Sequence, residues 1–151
     1  MFEKDLLHGQ AAEDYMLPIL KKEFSTIKRV EGYNPDYDFI DDEGYTIELK
    51  LDERSKGTGN IGIEYMHRNK PSAISTSKAQ EWIIIFFFPG ANWVYSRMKT
   101  NELRAYLKSN NKYLRKTHGG DSDKSSLILV PVSDFTDRFD FRPLKYERVS
   151  N

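Results

Sequence analysis

The sequence predicts a single α/β domain over residues 1–151, with a mixed central sheet and helices on both sides. Three observations carry this. An amphipathic stripe runs through residues 3–24, Trp82 to Phe88 reads WIIIFFF without polar alternation, and residues 36–50 read as two β-favouring runs around a polar turn. The elements then follow as α-β-β-β-α-β, with further elements after that core.

In the first helix Leu6, Glu13, Leu17, Leu20 and Phe24 fall at spacings of seven, four, three and four, which is one helical face. Glu13 stands in line with that apolar stripe, and a carboxylate buried there requires a partner. Pro18 removes one backbone bond and should kink the helix. Thr26 to Tyr33 is a first strand. The hairpin follows, with Tyr37, Phe39 and Ile40 on one arm and Tyr45, Thr46, Ile47 and Leu49 on the other. Its turn, Asp41-Asp42-Glu43-Gly44, ends in a glycine able to take positive φ.

Asp52 to Gly59 is polar and glycine-containing and predicts a mobile loop. Gly57 to Gly62 matches G-x-G-x-x-G, but a dinucleotide site needs a helix next. Ile61 to His67 instead alternates as a strand, so no cofactor reading follows. Glu64 lies on the face of that strand opposite Ile61 and Ile63, either near the acidic hairpin or in solvent. Pro71 to Gln80 reads as a loop and a short helix capped by Ser75 or Thr76, with Lys78 projecting from its first turns. Trp82–Phe88 is a strand buried on both faces, at the centre of the sheet. Trp93 to Tyr95 returns antiparallel after a Pro89–Asn92 turn. A helix from Thr100 or Asn101 to Leu114 turns Leu103, Tyr106, Leu107 and Tyr113 inward. Ser126 to Val132 is a further strand.

The chain has no cysteine, which excludes disulfides, thiol catalysis and cysteine-type zinc sites. The spacing of His8, His67 and His118 is not that of metal ligands. The charged start and an apolar run no longer than Trp82–Pro89 predict no membrane span and a cytoplasmic protein. Lysine plus arginine equals aspartate plus glutamate, 23 each, which argues against an indiscriminate polyanion binder. The charge is uneven, however. Residues 31–53 hold nine acids and one base, whereas residues 96–119 hold seven bases and one acid.

The acidic hairpin carries the chemistry. If its loop is Asp42-Glu43-Gly44, Asp38 lies opposite Glu48 and Asp36 opposite Lys50. Facing carboxylates repel by a few tenths to ~1 kcal/mol per pair. A hard cation such as Mg²⁺ or Mn²⁺ removes that repulsion, because it takes one or two carboxylates together with water and phosphate. The Leu49 carbonyl would be a third oxygen. Lys50 beside such an ion would hold a phosphate or the attacking water, lowering the barrier to phosphodiester hydrolysis. The alternative is a solvated acidic turn with a chance Glu-x-Lys.

Wider residues extend the pattern. Asp38-x9-Glu48-x-Lys50 follows a helix carrying Glu13. It precedes Thr58-Gly59-Asn60-Ile61-Gly62-Ile63-Glu64-Tyr65, Lys70-Pro71-Ser72-Ala73-Ile74 and Ser77-Lys78-Ala79. Over about residues 10–98 this resembles the short phage-type nucleases of the PD-(D/E)xK superfamily, with their TGNIxIE…KPSGI…SKA pattern. The departure is Ala73, where the pattern has glycine.

The resemblance implies a restriction-endonuclease-like fold and a Mg²⁺-dependent DNA endonuclease, in the host cytosol if the protein is phage-encoded. It implies metal ligation by Asp38, Glu48 and the Leu49 carbonyl, with Asp36 the competitor of Asp38. Lys50 would activate water and stabilise the phosphate, and Glu13 would support a second metal or orient water. DNA would be met by Lys78 and by the basic helix residues Arg104, Lys108 and Lys112. Two rival readings are a dimeric structure-selective nuclease, such as a junction resolvase, and a non-cleaving nucleic-acid-binding module on the same fold.

Overall fold

The computed structural model describes residues 9–32, 36–119 and 124–144. It is an α/β structure built on strand β6 (Glu81–Phe88), whose first six residues are all buried. β6 pairs in parallel with β3 (Thr46–Leu51) and antiparallel with β7 (Asn92–Lys99). β2 (Phe39–Ile40) and β1 (Lys28–Arg29) extend the sheet beyond β3, and β10 (Arg142–Pro143) extends it beyond β7. The result is the expected mixed central sheet.

Alternate β6 side chains enter two cores. Ile83 and Ile85 join Phe39, Ile47 and Tyr95 beneath helix α1 (Gly9–Lys21). Burying each such side chain stabilises by roughly 1.5–3 kcal/mol. The buried line on α1 is Ala12, Met16 and Leu20, spaced by four. The stripe is therefore rotated slightly from the expected one, leaving Glu13 and Leu17 half-buried at its margin. Leu6 lies outside the described residues. Helix α1 continues through Pro18, which is exposed.

Trp82, Ile84 and Phe86 enter the other core, where a second sheet packs. Its order is β5 (Lys70–Pro71), β4 (Asn60–His67), β9 (Ser125–Pro131) and β8 (Arg115–Gly119), all antiparallel. With both edges of β6 occupied, the amphipathic β4 finds its partner in β9, about 65 residues away in sequence. Helices α3 (Thr100–Ser109) and α4 (Val132–Arg138) complete this side through Leu103, Leu107, Val132 and Phe135.

Several expected elements differ. The helix expected within Pro71–Gln80 is a single 3₁₀ turn, Ala73–Ser75, followed by irregular chain that bears Lys78. The helix expected to reach Leu114 stops at Ser109, and a 3₁₀ turn covers Asn111–Tyr113. The first strand is two residues rather than eight, and Tyr33 lies outside the described residues. The stretch expected to be a mobile loop contains helix α2 (Ser55–Thr58) and is tied down. Asp52 Oδ1 accepts from the Ser55 N–H at 3.0 Å, Asp52 Oδ2 from the Gly62 N–H at 2.7 Å, and the Phe87 N–H donates to Ser55 Oγ at 2.9 Å.

Arg97 and Lys99, counted in the basic flank, are used internally. Arg97 Nε donates to the buried Glu81 at 2.5 Å and Arg97 Nη1 to Glu23 at 2.8 Å. Tyr45 donates its hydroxyl hydrogen to Glu81 at 2.7 Å and accepts from Lys99 at 2.9 Å. This network joins the end of α1, the hairpin, β6 and β7. Removing one partner of a buried pair strands the other charge. Arg97→Ala should therefore cost about 2–4 kcal/mol in urea unfolding, whereas Glu23→Ala, at an exposed side chain, should cost under about 1 kcal/mol. Equal losses would show that the buried Glu81 does not depend on Arg97.

Candidate functional site

The turn forms as its residues dictate. Gly44 has φ +86°, and Asp41 Oδ1 accepts the N–H groups of Glu43 and Tyr45 at 3.0 and 2.8 Å. The register is Phe39 with Ile47 and Ile40 with Thr46, which puts Asp38 opposite Glu48 as expected. There the ladder stops. Along β3, Thr46 accepts from Gln80 and Asp52 donates to Ile85, so even-numbered residues bond towards β6. Odd-numbered residues face β2: the Ile47 carbonyl accepts the Asp38 N–H at 2.9 Å. At Leu49 no β2 residue continues the ladder, and the N–H is taken by Asp38 Oδ2 at 2.8 Å. A strand residue's N–H and C=O point to the same side. The Leu49 carbonyl therefore faces the gap where Asp38 sits.

The acidic groups gather around this gap and feel one another. Burial pushes the Glu48 carboxyl up to about 7; the Lys50 ammonium opposes the rise, while Asp38 and Glu13 add to it. Asp38 is raised by burial, against the Leu49 N–H and Lys50. Glu13 is raised by burial and then by Asp38, against Arg29. Asp36 precedes the paired residues of β2, Phe39 and Ile40. Lys50 Nζ lies 3.1 Å from Glu48 Oε2 and 5.6 Å from the centre of the Trp82 ring. Arg29 Nε lies 3.3 Å from Glu13 Oε1, an ion pair without hydrogen-bond geometry, and Arg29 also pairs with Asp14.

Two cavities open beside the gap. One, of about 610 Å³, is lined by Glu13, Arg29, Tyr37 and Asp38. The other, of about 720 Å³, is a cleft between Lys50 and Trp82 on the central sheet and β4, β8 and β9 of the second sheet. Arg54, Arg115 and His118 line this cleft; Arg115 was counted only as part of the basic flank, His118 was set aside as a metal ligand, and no sequence signal pointed to Arg54.

The basic helix stands apart from it. Arg104 is not free: its guanidinium donates to the Ile74 carbonyl at 2.9 Å, the Ser77 carbonyl at 2.6 Å and Asn101 Oδ1 at 3.1 Å, clamping the 3₁₀ turn to α3. Lys108 and Arg104 line a separate hollow with Tyr65 and Lys116. Lys78, Lys108 and Lys112 are exposed. Glu64 lines the cleft and accepts from Ser72 Oγ at 2.8 Å.

The donor set fits a hard cation. Among the described residues no three His, Cys, Asp or Glu side chains form a ready-made metal cage. Two carboxylates and a carbonyl nonetheless match Mg²⁺, which takes oxygen ligands and keeps several waters, better than Zn²⁺, whose sites are dominated by histidine and cysteine. No helix among the described residues is long and apolar enough to cross a membrane. The sequence matches no protein-family model and no curated protein sequence.

The raised Glu48 pKa fixes a sign. A carboxyl held near 7 when folded, against an ordinary value of 4.5, takes up protons on folding. Its contribution is fully present below about pH 4.5 and is lost as pH rises through about 7. In EDTA, wild type should lose about 2–3 kcal/mol relative to Glu48→Gln between pH 5 and 8, read by denaturant unfolding. A difference independent of pH would show that Glu48 is ionised as in water.

Proposed function

We propose that this chain is a Mg²⁺- or Mn²⁺-dependent DNA endonuclease of the PD-(D/E)xK type. The observation that carries the reading is the gap at the end of the β2–β3 ladder, where Asp38, Glu48, the Leu49 carbonyl and Lys50 converge with Glu13 nearby. Asp38, Glu48 and the Leu49 carbonyl would hold the ion. When bound, it polarises a phosphate oxygen and lowers the pKa of attached water.

The remaining roles belong to the chain. Lys50 is half-exposed at the mouth of the cleft, with its ammonium free to swing from Glu48 to a phosphate. There it orients water and stabilises charge on the pentavalent phosphorus. Glu13 orients water from the other side of the gap, and Arg29 keeps its carboxylate in place. Lys78, Lys108 and Lys112 supply outer contacts to the duplex. Arg104 supports that surface structurally, because its donors are already engaged.

Two backbone features support the reading. A helix and an antiparallel run β1-β2-β3 match the first part of the expected core order, while the short helix α2, β4, β5 and a 3₁₀ turn stand where a second core helix was expected before the parallel strand β6. Ala73, where the resembled pattern has glycine, has φ +47°, the region that glycine occupies at least cost.

Supercoiled-plasmid nicking with and without Mg²⁺ tests the activity. It also separates this reading from the dimeric resolvase, when branched substrates are added, and from the non-cleaving module. Lys50→Ala should keep fold and metal binding but lower cleavage by ~10²–10³, the usual loss of one transition-state stabiliser. Glu48→Ala should lose both metal binding and cleavage. Crystals soaked in Mn²⁺ should place an ion about 2.0–2.4 Å from oxygens of Asp38 and Glu48. An ion held by Asp36 would move the site, and nicking unaffected by either substitution would remove it.

A further inference from the structure

Residues 103–119 contain no acid and five bases: Arg104, Lys108, Lys112, Arg115 and Lys116. In their midst Tyr113, expected to point inward, is 76% exposed. A single exposed aromatic is ordinary. This one is placed by structure on both sides. The Tyr113 N–H donates to the Asn110 carbonyl at 2.9 Å, Lys116 Nζ donates to the Asn111 carbonyl at 2.8 Å, and the next residue, Leu114, is buried. The ring therefore stands out from a pinned turn, with Lys112 Nζ 5.9 Å from its centre.

The strip also leads into the cleft. Arg115 is two residues on, within about 7 Å of Tyr113 along the backbone. It lines the cleft, as does His118 on the same exposed strand β8, and Lys50 stands on the opposite wall. Two of the acids on those walls are bonded internally, Asp52 to Ser55 and Gly62, and Glu64 to Ser72.

We infer that Tyr113 and Arg115 form a track for an unpaired DNA strand, with Tyr113 stacking on a base and Arg115 drawing the backbone towards Lys50. An exposed ring on a cationic surface takes the face of an unstacked base, and duplex bases have no free face to offer. Arg115 supplies the phosphate contact that stacking alone lacks. The inference rests on the nuclease reading only for what happens at the end of the track. It makes the protein selective for flaps, gaps or other DNA with a single-stranded arm.

The test is fluorescence anisotropy in EDTA, where binding is read without cleavage, using a labelled oligothymidine and a blunt duplex of equal length. Tyr113→Ala should weaken oligothymidine binding about 5- to 150-fold, the usual loss of one base–aromatic stack. Tyr113→Phe should restore it, and the duplex should show no comparable loss. Arg115→Ala should weaken strand binding and reduce its salt dependence. An unchanged affinity in Tyr113→Ala, or an equal loss for strand and duplex, overturns the inference. The nuclease reading is judged separately by plasmid nicking. A protein that binds strands through Tyr113 and never nicks keeps the track and loses the nuclease. One that nicks but binds strands without Tyr113 does the reverse.

Discussion

The site depends on a mismatch in length between two strands. β3 has six residues and is paired along its β6 side, whereas β2 has two. Beyond Ile47 the outer side of β3 would leave unpaired backbone groups in a half-buried place, which is costly. Asp38 meets one of them with its own carboxylate, bonding to the Leu49 N–H. That bond fixes the Asp38 side chain beside Glu48 and leaves the Leu49 carbonyl facing the same gap. The early end of β2 thus brings the Asp38 carboxylate to the backbone of Leu49, next to Glu48. Strand alternation alone would have placed only the side chains.

Holding charges there destabilises the fold, and the surroundings bear the cost. Glu48, Asp38 and Glu13 are all shifted towards their neutral forms by burial. Lys50 and Arg29 each reduce the penalty without cancelling it. Elsewhere the fold is tightly braced. The Glu81–Arg97 pair locks one end of β3 and β6, and Asp52 with Ser55 locks the other. A cluster that repels itself is kept in place by two fully bonded anchors, one at each end of the strand that carries it. On the proposed reading, a divalent cation would satisfy the same carboxylates.

Much of this was legible in the sequence, for identifiable reasons. The hairpin register followed from Gly44 and the Asp41 turn, because a turn of known length fixes which residues face each other. The buried β6 followed from an unbroken apolar run. Pairing partners were not legible. Ile61–His67 and Ser126–Val132 both read as strands, yet alternation does not say that they join each other in a separate sheet. The same limit hid the cleft, since Arg54 is far in sequence from Arg115 and His118 and meets them only once that sheet forms. Lysines and arginines were over-read as surface. Arg97 and Arg104 are part-buried because long cationic side chains can satisfy carboxylates and carbonyls far from their own backbone, and the exposed Lys99 is engaged by the Tyr45 hydroxyl.

Ala73 joins the sequence pattern to the physics. A non-glycine residue at φ +47° carries a steric cost of roughly 1 kcal/mol between its Cβ and the backbone. The turn that imposes it is held by its own bonds: the Ser72 N–H and the Ser75 hydroxyl both donate to the Tyr65 carbonyl, and Arg104 grips Ile74 and Ser77 from the other side. That grip explains why Arg104 is withdrawn from the surface that its charge suggested. It also places Ala73 on the wall of the cleft. Ser72, held by Glu64, stands beside it. A strained residue tied from two sides and lining the cleft is a structural element of that cleft's shape.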